Sequence, residues 1–415
     1  MKEFTKSDKA TRTILLPQML EYHSPFLKAA FEASGYKFDV MNSREPPKAD
    51  ALRYISSDYC YPTFLIIGQV LEALKKYSGS EDKIAFMEPQ AGGACRCGNI
   101  YNLIIEVLDK LGYGDIPVIS LNFRGNEKHS GFKITPKLVL NAAAAVCVGD
   151  LIMLLYQQTK PYEKTPGAAD AVLKKCEQYA AGHIRNGGMR RKELYPAIVK
   201  AFSEIERTDA AKRRVGVAGE IYIKYSSLGN HSLEKFLLDQ GTQVYFGGFA
   251  NYLMYIADSE KQIFLLEHNS KAAAKAFDTV IGIMEKLQRE MFEAVRENSS
   301  FFTDLTFTEL RKKADGIISH DCITGDGWLV AAEAVQAIER GCESVLIVHP
   351  FGCLVSHVCE RGIMSLRAAY PDVNIQTIEY DYDQSLALRE SRILLGISNM
   401  HKRDKNSFAK IVLTE

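Results

Sequence analysis

The residues most able to do chemistry here are cysteines, of which the 415-residue chain carries nine. Cys60 stands in DYCYPTFLIIGQV, where Pro62 suits the first turn of a helix and Cys60 falls at its start. Cys95 and Cys97 stand in GGACRCGNIY, a glycine-rich turn expected after a strand and before a helix. Cys353 stands in HPFGCLVSHVC, again between a buried strand and a helix that carries His357 and Cys359. A thiol at a helix start is expected to have a lowered pKa and to make a good metal ligand. The plainer reading of any one of them is a small buried hydrophobe, and that reading is preferred for Cys147, Cys176 and Cys342. Three thiols at strand-to-helix junctions are harder to dismiss as a set. A zinc site normally draws four ligands from two local pairs, and only one pair is visible, so three distant cysteines fit an iron-sulfur cubane better.

Acid-base candidates accompany these thiols. They are Glu220 in VAGEIY, Asp326 in TGDGW, and His349 and His357 on either side of Cys353. The bland alternatives are turn and helix-cap chemistry for the two acids, a strand-end hydrogen bond for His349 and a helix-face position for His357. The alternating Tyr380 and Tyr382 and the single Trp328 are expected simply to pack.

The elements needed to position these groups follow from periodicity. Apolar runs bounded by turn residues alternate with helical segments, the pattern of an α/β protein with parallel sheets. Strands are expected at Thr13–Leu16, Phe38–Met41, Ile84–Met87 and Val118–Leu121, with helices near Pro25–Ser34, Pro62–Tyr77, Asn99–Leu111 and Pro136–Tyr156. Together they make a first doubly wound lobe over residues 1–160. A charged helical connector over 161–212, interrupted by Gly187-Gly188, leads to a second lobe over 213–415. Its expected strands are Val215–Ile223, Val244–Phe246, Val345–Val348 and Ile375–Ile378, with a long helix near Ala272–Asn298. IAFMEPQAGGAC and VLIVHPFGC echo each other as strand, Pro, Gly, Cys, helix, placing thiols at the carboxyl ends of strands, where α/β sheets bind ligands.

Composition limits the functional classes. Lys+Arg and Asp+Glu both number 51, so no polyanion surface and no nucleic-acid partner is expected. The opening MKEFTKSDKATRT lacks an apolar core, and no uninterrupted apolar stretch of membrane-spanning length is expected further on, so a cytoplasmic protein is anticipated. An odd cysteine count argues for reduced thiols over a disulfide framework. Phosphate-loop and dinucleotide glycine fingerprints are missing, which assigns any ATP hydrolysis to another protein.

Taken in order, TILLPQM, SDYCYPTFLIIGQ, GGACRCGNIY, PVISLN, FKITPKL, RVGVAGEIYIKY, TGDGWL, VHPFGCLVSH and IEYDYDQS make the chain resemble the 2-hydroxyacyl-CoA dehydratase and benzoyl-CoA reductase superfamily. The likeness is strongest to the carboxy-terminal region of large CoA-substrate-specific enzyme activases and extends to double-cubane cluster proteins. It implies a 4Fe-4S cluster on Cys60, Cys95 and Cys353, one iron without a protein ligand, and a separate ATPase activator carrying its own 4Fe-4S cluster. It also implies paired subunits, expected here as a homodimer, and a small-molecule or CoA-thioester substrate. This sequence departs from the family pattern in reading Cys-Tyr-Pro where the family has Cys before Pro, and in the additional thiols Cys97, Cys322 and Cys359. Those six cysteines keep open an 8Fe-9S double cubane as metal site. Three readings therefore stand: a low-potential iron-sulfur reductase component, a 2-hydroxyacyl-CoA dehydratase subunit, and a zinc-stabilised or cluster-storage scaffold without turnover.

Overall fold

The structure is a computed structural model that describes residues 2–46, 48–89, 95–121, 129–186, 190–359 and 361–398; the side chains of residues 48, 49, 358, 359 and 361 lie outside the description. The chain is an α/β protein with two four-stranded, all-parallel sheets. The first holds β1 (Thr13–Leu16), β2 (Lys37–Val40), β3 (Ile84–Pro89) and β4 (Val118–Leu121) in the order β2-β1-β3-β4. The second holds β5 (Arg214–Gly219), β6 (Gln243–Phe246), β7 (Ser344–Pro350) and β8 (Asn374–Tyr380) in the order β6-β5-β7-β8. The two sheets therefore share one topology.

These strands form where short apolar runs are covered on both faces by crossover helices; every residue of β6 and β7 is buried. The expected strand Val215–Ile223 stops at Gly219. That residue has φ 133°, and a side chain there would collide with the Val348 carbonyl of β7. Glu220 then accepts from Ile223 N at 2.9 Å and starts the short helix Ile221–Tyr225.

The interiors of the two lobes merge. One apolar cluster joins Ile84 and Phe86 of β3 to Val215 and Val217 of β5 and Leu346 and Val348 of β7. A ring of hydrogen bonds crosses the same boundary: Gln18 N donates to Gln69 Oε1 (2.8 Å), Gln69 Nε2 to Tyr222 OH (3.0 Å), and Tyr222 OH to Gln18 O (2.9 Å).

A second cluster is helical. It gathers the helices Ser24–Glu32, Pro136–Thr159, Ala168–Arg185, Arg191–Ser203, Phe249–Leu266 and Lys271–Asn298, so the connector helices are packed into a continuous core. Thr135 caps Pro136–Thr159 by accepting from Leu138 N at 3.2 Å. The segment Pro136–Tyr162 is long and apolar enough to cross a membrane by length and composition, with mean hydropathy 2.2 in its most apolar window, although Asp150 interrupts its apolar run. That window is 78% buried inside the protein, which is what an all-round apolar core helix requires.

Candidate functional site

The carboxyl ends of both sheets bring the predicted cysteines into one neighbourhood, and backbone hydrogen bonds tie their loops together. Cys60 precedes the helix Tyr61–Lys76, and Tyr61 N donates to Phe351 O at 3.3 Å. Phe351 N in turn donates to Tyr380 O at 2.7 Å, holding the turn before Cys353 to the end of β8. Gly352, with φ 71°, packs against Cys60 Cα, where an added Cβ would lie 3.5 Å away. From the other side, the Arg96 guanidinium donates to Asp58 O and fastens the Cys95 turn to the loop of Cys60.

Each thiol stands where the sequence places it, before a helical segment. Cys95 precedes the 3-10 turn Arg96–Asn99 and Cys353 the helix Leu354–Cys359. Cys60 Sγ lies 3.3 Å from Thr63 Oγ1, and Cys353 Sγ accepts from Ser356 N at 3.4 Å. The expected lowering of thiol pKa holds only for Cys95, where the neighbouring Cys97 thiol hydrogen-bonds to it against the effect of burial. Burial raises Cys60 and pushes Cys353 up to about 12, with the Glu220 carboxylate adding to both. Desolvation therefore overrides the helix-start effect.

The two acids belong to the same place. Asp326 Oδ1 accepts from Ile221 N at 3.3 Å, so Asp326 abuts the turn that carries Glu220 and reaches across to it instead of capping its own helix. Burial raises Glu220 to about 7 and Asp326 well above the carboxylate range, and Glu220 and Cys95 press further on Asp326. Glu220 also caps its own helix, so the cap reading and the site reading of that residue coexist.

The other predicted residues divide. His349 is buried on β7, 7% exposed, whereas His357 is exposed on the helix after Cys353. Cys322 belongs to a turn that packs on that helix: its carbonyl accepts from Trp328 N (3.0 Å), and Gly325 rests against the Val355 side chain. Cys97 points its thiol to Pro89 O at 3.8 Å. The side chain of Cys359 lies outside the described residues, as do Gly92 and Gly93 of the turn before Cys95. Cys147, Cys176 and Cys342 are buried in apolar clusters.

Among the described residues, no three His, Cys, Asp or Glu side chains converge closely enough to share one metal ion. A cubane places its thiolates on separate irons and asks for a wider triangle, supplied from separate loops. The donor set fits such a group: three thiols from both lobes, with Glu220 and Asp326 adding like-signed pressure that a cationic centre relieves.

Sequence reasoning missed two features of the site. Arg96, inside the Cys95 motif, acts as a tie between loops, and Arg389 lies behind the Cys353 turn, over the Tyr380 ring. No family model matches the chain, and no curated protein matches it.

Proposed function

We propose that this chain is an iron-sulfur redox protein, its cluster held by Cys60, Cys95 and Cys353, that receives low-potential electrons from a separate ATP-dependent activator. The observation that carries the reading is the convergence just described: three thiols from loops of two lobes that lead into helical segments, bound together through Tyr61–Phe351 and Arg96–Asp58, beside the acids Glu220 and Asp326. When bound, such a cluster supplies one-electron chemistry for a difficult reduction or a radical dehydration.

The chain's own residues supply the rest. The loops of Cys60 and Cys353 are held against one another and bury Cys60, and such shielding from water favours a low potential. Glu220, with its pKa raised to about 7 by burial, holds or releases a proton near neutrality, and burial raises the neighbouring Asp326 in the same direction.

Anaerobic purification, an iron and sulfide count, and an EPR spectrum after dithionite reduction test this reading. About four irons per chain support one cubane on the three thiols, and about eight bring in Cys97, Cys322 and Cys359 as a double cubane. Cys60→Ser, Cys95→Ser and Cys353→Ser should each lose most of the iron while Cys147→Ala retains it. Iron-free, zinc-bearing wild-type protein overturns the redox reading in favour of a scaffold.

A further inference from the structure

A cavity of about 570 Å3 lies at the amino ends of β5 and β6, whose first residues, Arg214 and Gln243, line it. The rest of its wall comes from Gln158 and Tyr162 at the end of the core helix, from the segment that follows Arg191–Ser203, and from Phe301 and Phe302. Cavities of about 300 to 1,000 Å3 enclose whole metabolite-sized molecules. The candidate redox site is elsewhere. The start of β7 lies beside the start of β5, and Cys353 follows the opposite end of β7, whose seven residues span about 20 Å. No thiol lines the cavity, and neither Glu220 nor Asp326 does.

The wall is held in shape by its own polar groups. Tyr162 OH donates to Gln243 Oε1 at 2.9 Å, and Thr208 N to Tyr162 O at 2.8 Å. Gln158 Oε1 accepts from Phe302 N at 2.9 Å while its Nε2 donates to Phe302 O at 3.1 Å. The amides and the phenol are thus engaged with one another, and the guanidiniums are left over. Arg207 lies with Cζ 4.4 Å from the centre of the Phe301 ring, and among the described residues its guanidinium makes no hydrogen bond and no ion pair. Arg214 donates from Nη1 to Arg340 O at 2.9 Å and forms no ion pair among the described residues either.

These groups specify a ligand. Two unpaired guanidiniums face one carboxylate in the lining, that of the exposed Asp209, so the cavity favours negative charge. Half-buried Ile205, Tyr162 and Phe302 supply an apolar wall beside them. We propose that this cavity binds an organic anion of metabolite size, its carboxylate or phosphate groups held by Arg207 and Arg214 and its apolar body lying against Tyr162 and Phe302. Such a ligand joins the connector, through Arg207, to the second lobe, through Arg214. The inference stands without the redox reading, since no candidate cluster ligand takes part.

Isothermal titration calorimetry on the full chain, at about pH 8 and constant ionic strength, tests it with phenyl phosphate, benzoate, inorganic phosphate and benzyl alcohol. Phenyl phosphate or benzoate should bind saturably at one site per chain, and the tighter of the two names the head group. Inorganic phosphate and benzyl alcohol, each offering one half of the match, should bind at least several-fold more weakly. Arg207→Gln, which removes a side chain engaged only with a ring face, should weaken binding about tenfold. Ala210→Glu, which adds a carboxylate at an exposed lining position, should weaken it as well. Lys192→Gln, an equal loss of charge at the far end of the helix Arg191–Ser203, should leave it unchanged. The site is overturned if neither aryl anion binds, if Arg207→Gln and Ala210→Glu bind like the wild type, or if Lys192→Gln weakens binding as much as they do. Benzyl alcohol matching the aryl anions overturns the anion assignment, and inorganic phosphate matching them overturns the organic body.

Discussion

His23 Nε2 lies 2.8 Å from Asp150 Oδ1, with both side chains almost completely buried. The same carboxylate accepts from Phe249 N at 2.7 Å and Ala250 N at 2.9 Å. One acid in the middle of the core helix Pro136–Thr159 thus caps the helix Phe249–Leu266 and anchors the residue that precedes Ser24–Glu32. Gly149 and Gly248 leave room for it: a side chain at Gly149 would enter the His23 ring, and one at Gly248 would lie about 2.8 Å from the Asp150 carboxylate.

Asp150→Ala should therefore cost about 3 kcal/mol or more, because three buried donors lose their acceptor together. Asp150→Asn should cost less, since an amide oxygen still serves one or two of them. Urea unfolding monitored by circular dichroism measures both, and a cost under about 1 kcal/mol for the alanine variant would contradict this account.

Thiol reactivity should rank in an order that position in sequence alone does not give. In iron-free protein at pH 8, Cys95 should be alkylated first, because the Cys97 thiol hydrogen-bonds to it and lowers its pKa. Cys353, pushed up to about 12 by burial and Glu220, should lag by about tenfold or more. Peptide mapping after timed iodoacetamide exposure reads the order, and Cys97→Ala should slow Cys95. Equal rates at the two sites would contradict the assigned environments.

Asp304 supplies a pH dependence whose sign can be fixed. Burial raises its pKa from 3.8 to about 6, against the opposing donation from Tyr245 OH at 2.6 Å and the charge of Arg340. The native state therefore holds a proton that the unfolded chain gives up. The stabilisation is complete below about pH 4 and is lost as pH rises through about 6. Between pH 4.5 and 7.5 the stability difference between wild type and Asp304→Asn should fall by about 2 kcal/mol. Parallel stability profiles for the two proteins would refute the shift.

Much of this was legible in the sequence, for physical reasons. Parallel strands buried on both faces read as apolar runs, so β1, β4 and β6 lie within a residue of their expected bounds. The strand at Val215 was overextended because Ile221, Tyr222 and Ile223 continue the apolar run, while the stop is set by the close approach of Gly219 to Val348 O, a tertiary fact. Cys60, Cys95 and Cys353 were visible because proline and glycine mark each turn. The direction of their pKa shifts was not, because depth of burial cannot be read from spacing. Arg389 gave no signal either. An arginine beside leucines on an amphipathic helix looks solvated, as Arg392 of the same helix does, until the fold turns it over Tyr380.

The last prediction concerns Lys224 and Glu333, whose charged ends meet at 2.7 Å with side chains 1% and 5% exposed. Lys224 belongs to the short helix after Glu220, and Glu333 to the helix after Asp326, so the pair braces the elements that carry both candidate acids. Burial pushes Glu333 upward, and the Lys224 charge and hydrogen bond pull it back, so each partner is tolerated only because of the other. Lys224→Met alone should cost about 3 to 5 kcal/mol by stranding a carboxylate that also packs 3.2 Å from the position a side chain would take at Gly247. Lys224→Met combined with Glu333→Leu should recover most of that loss, because desolvation of the ions is removed together with their attraction. If the double variant is as unstable as the sum of the singles, the pair is not an isolated couple, and its charges are also required by the neighbouring acids at the site.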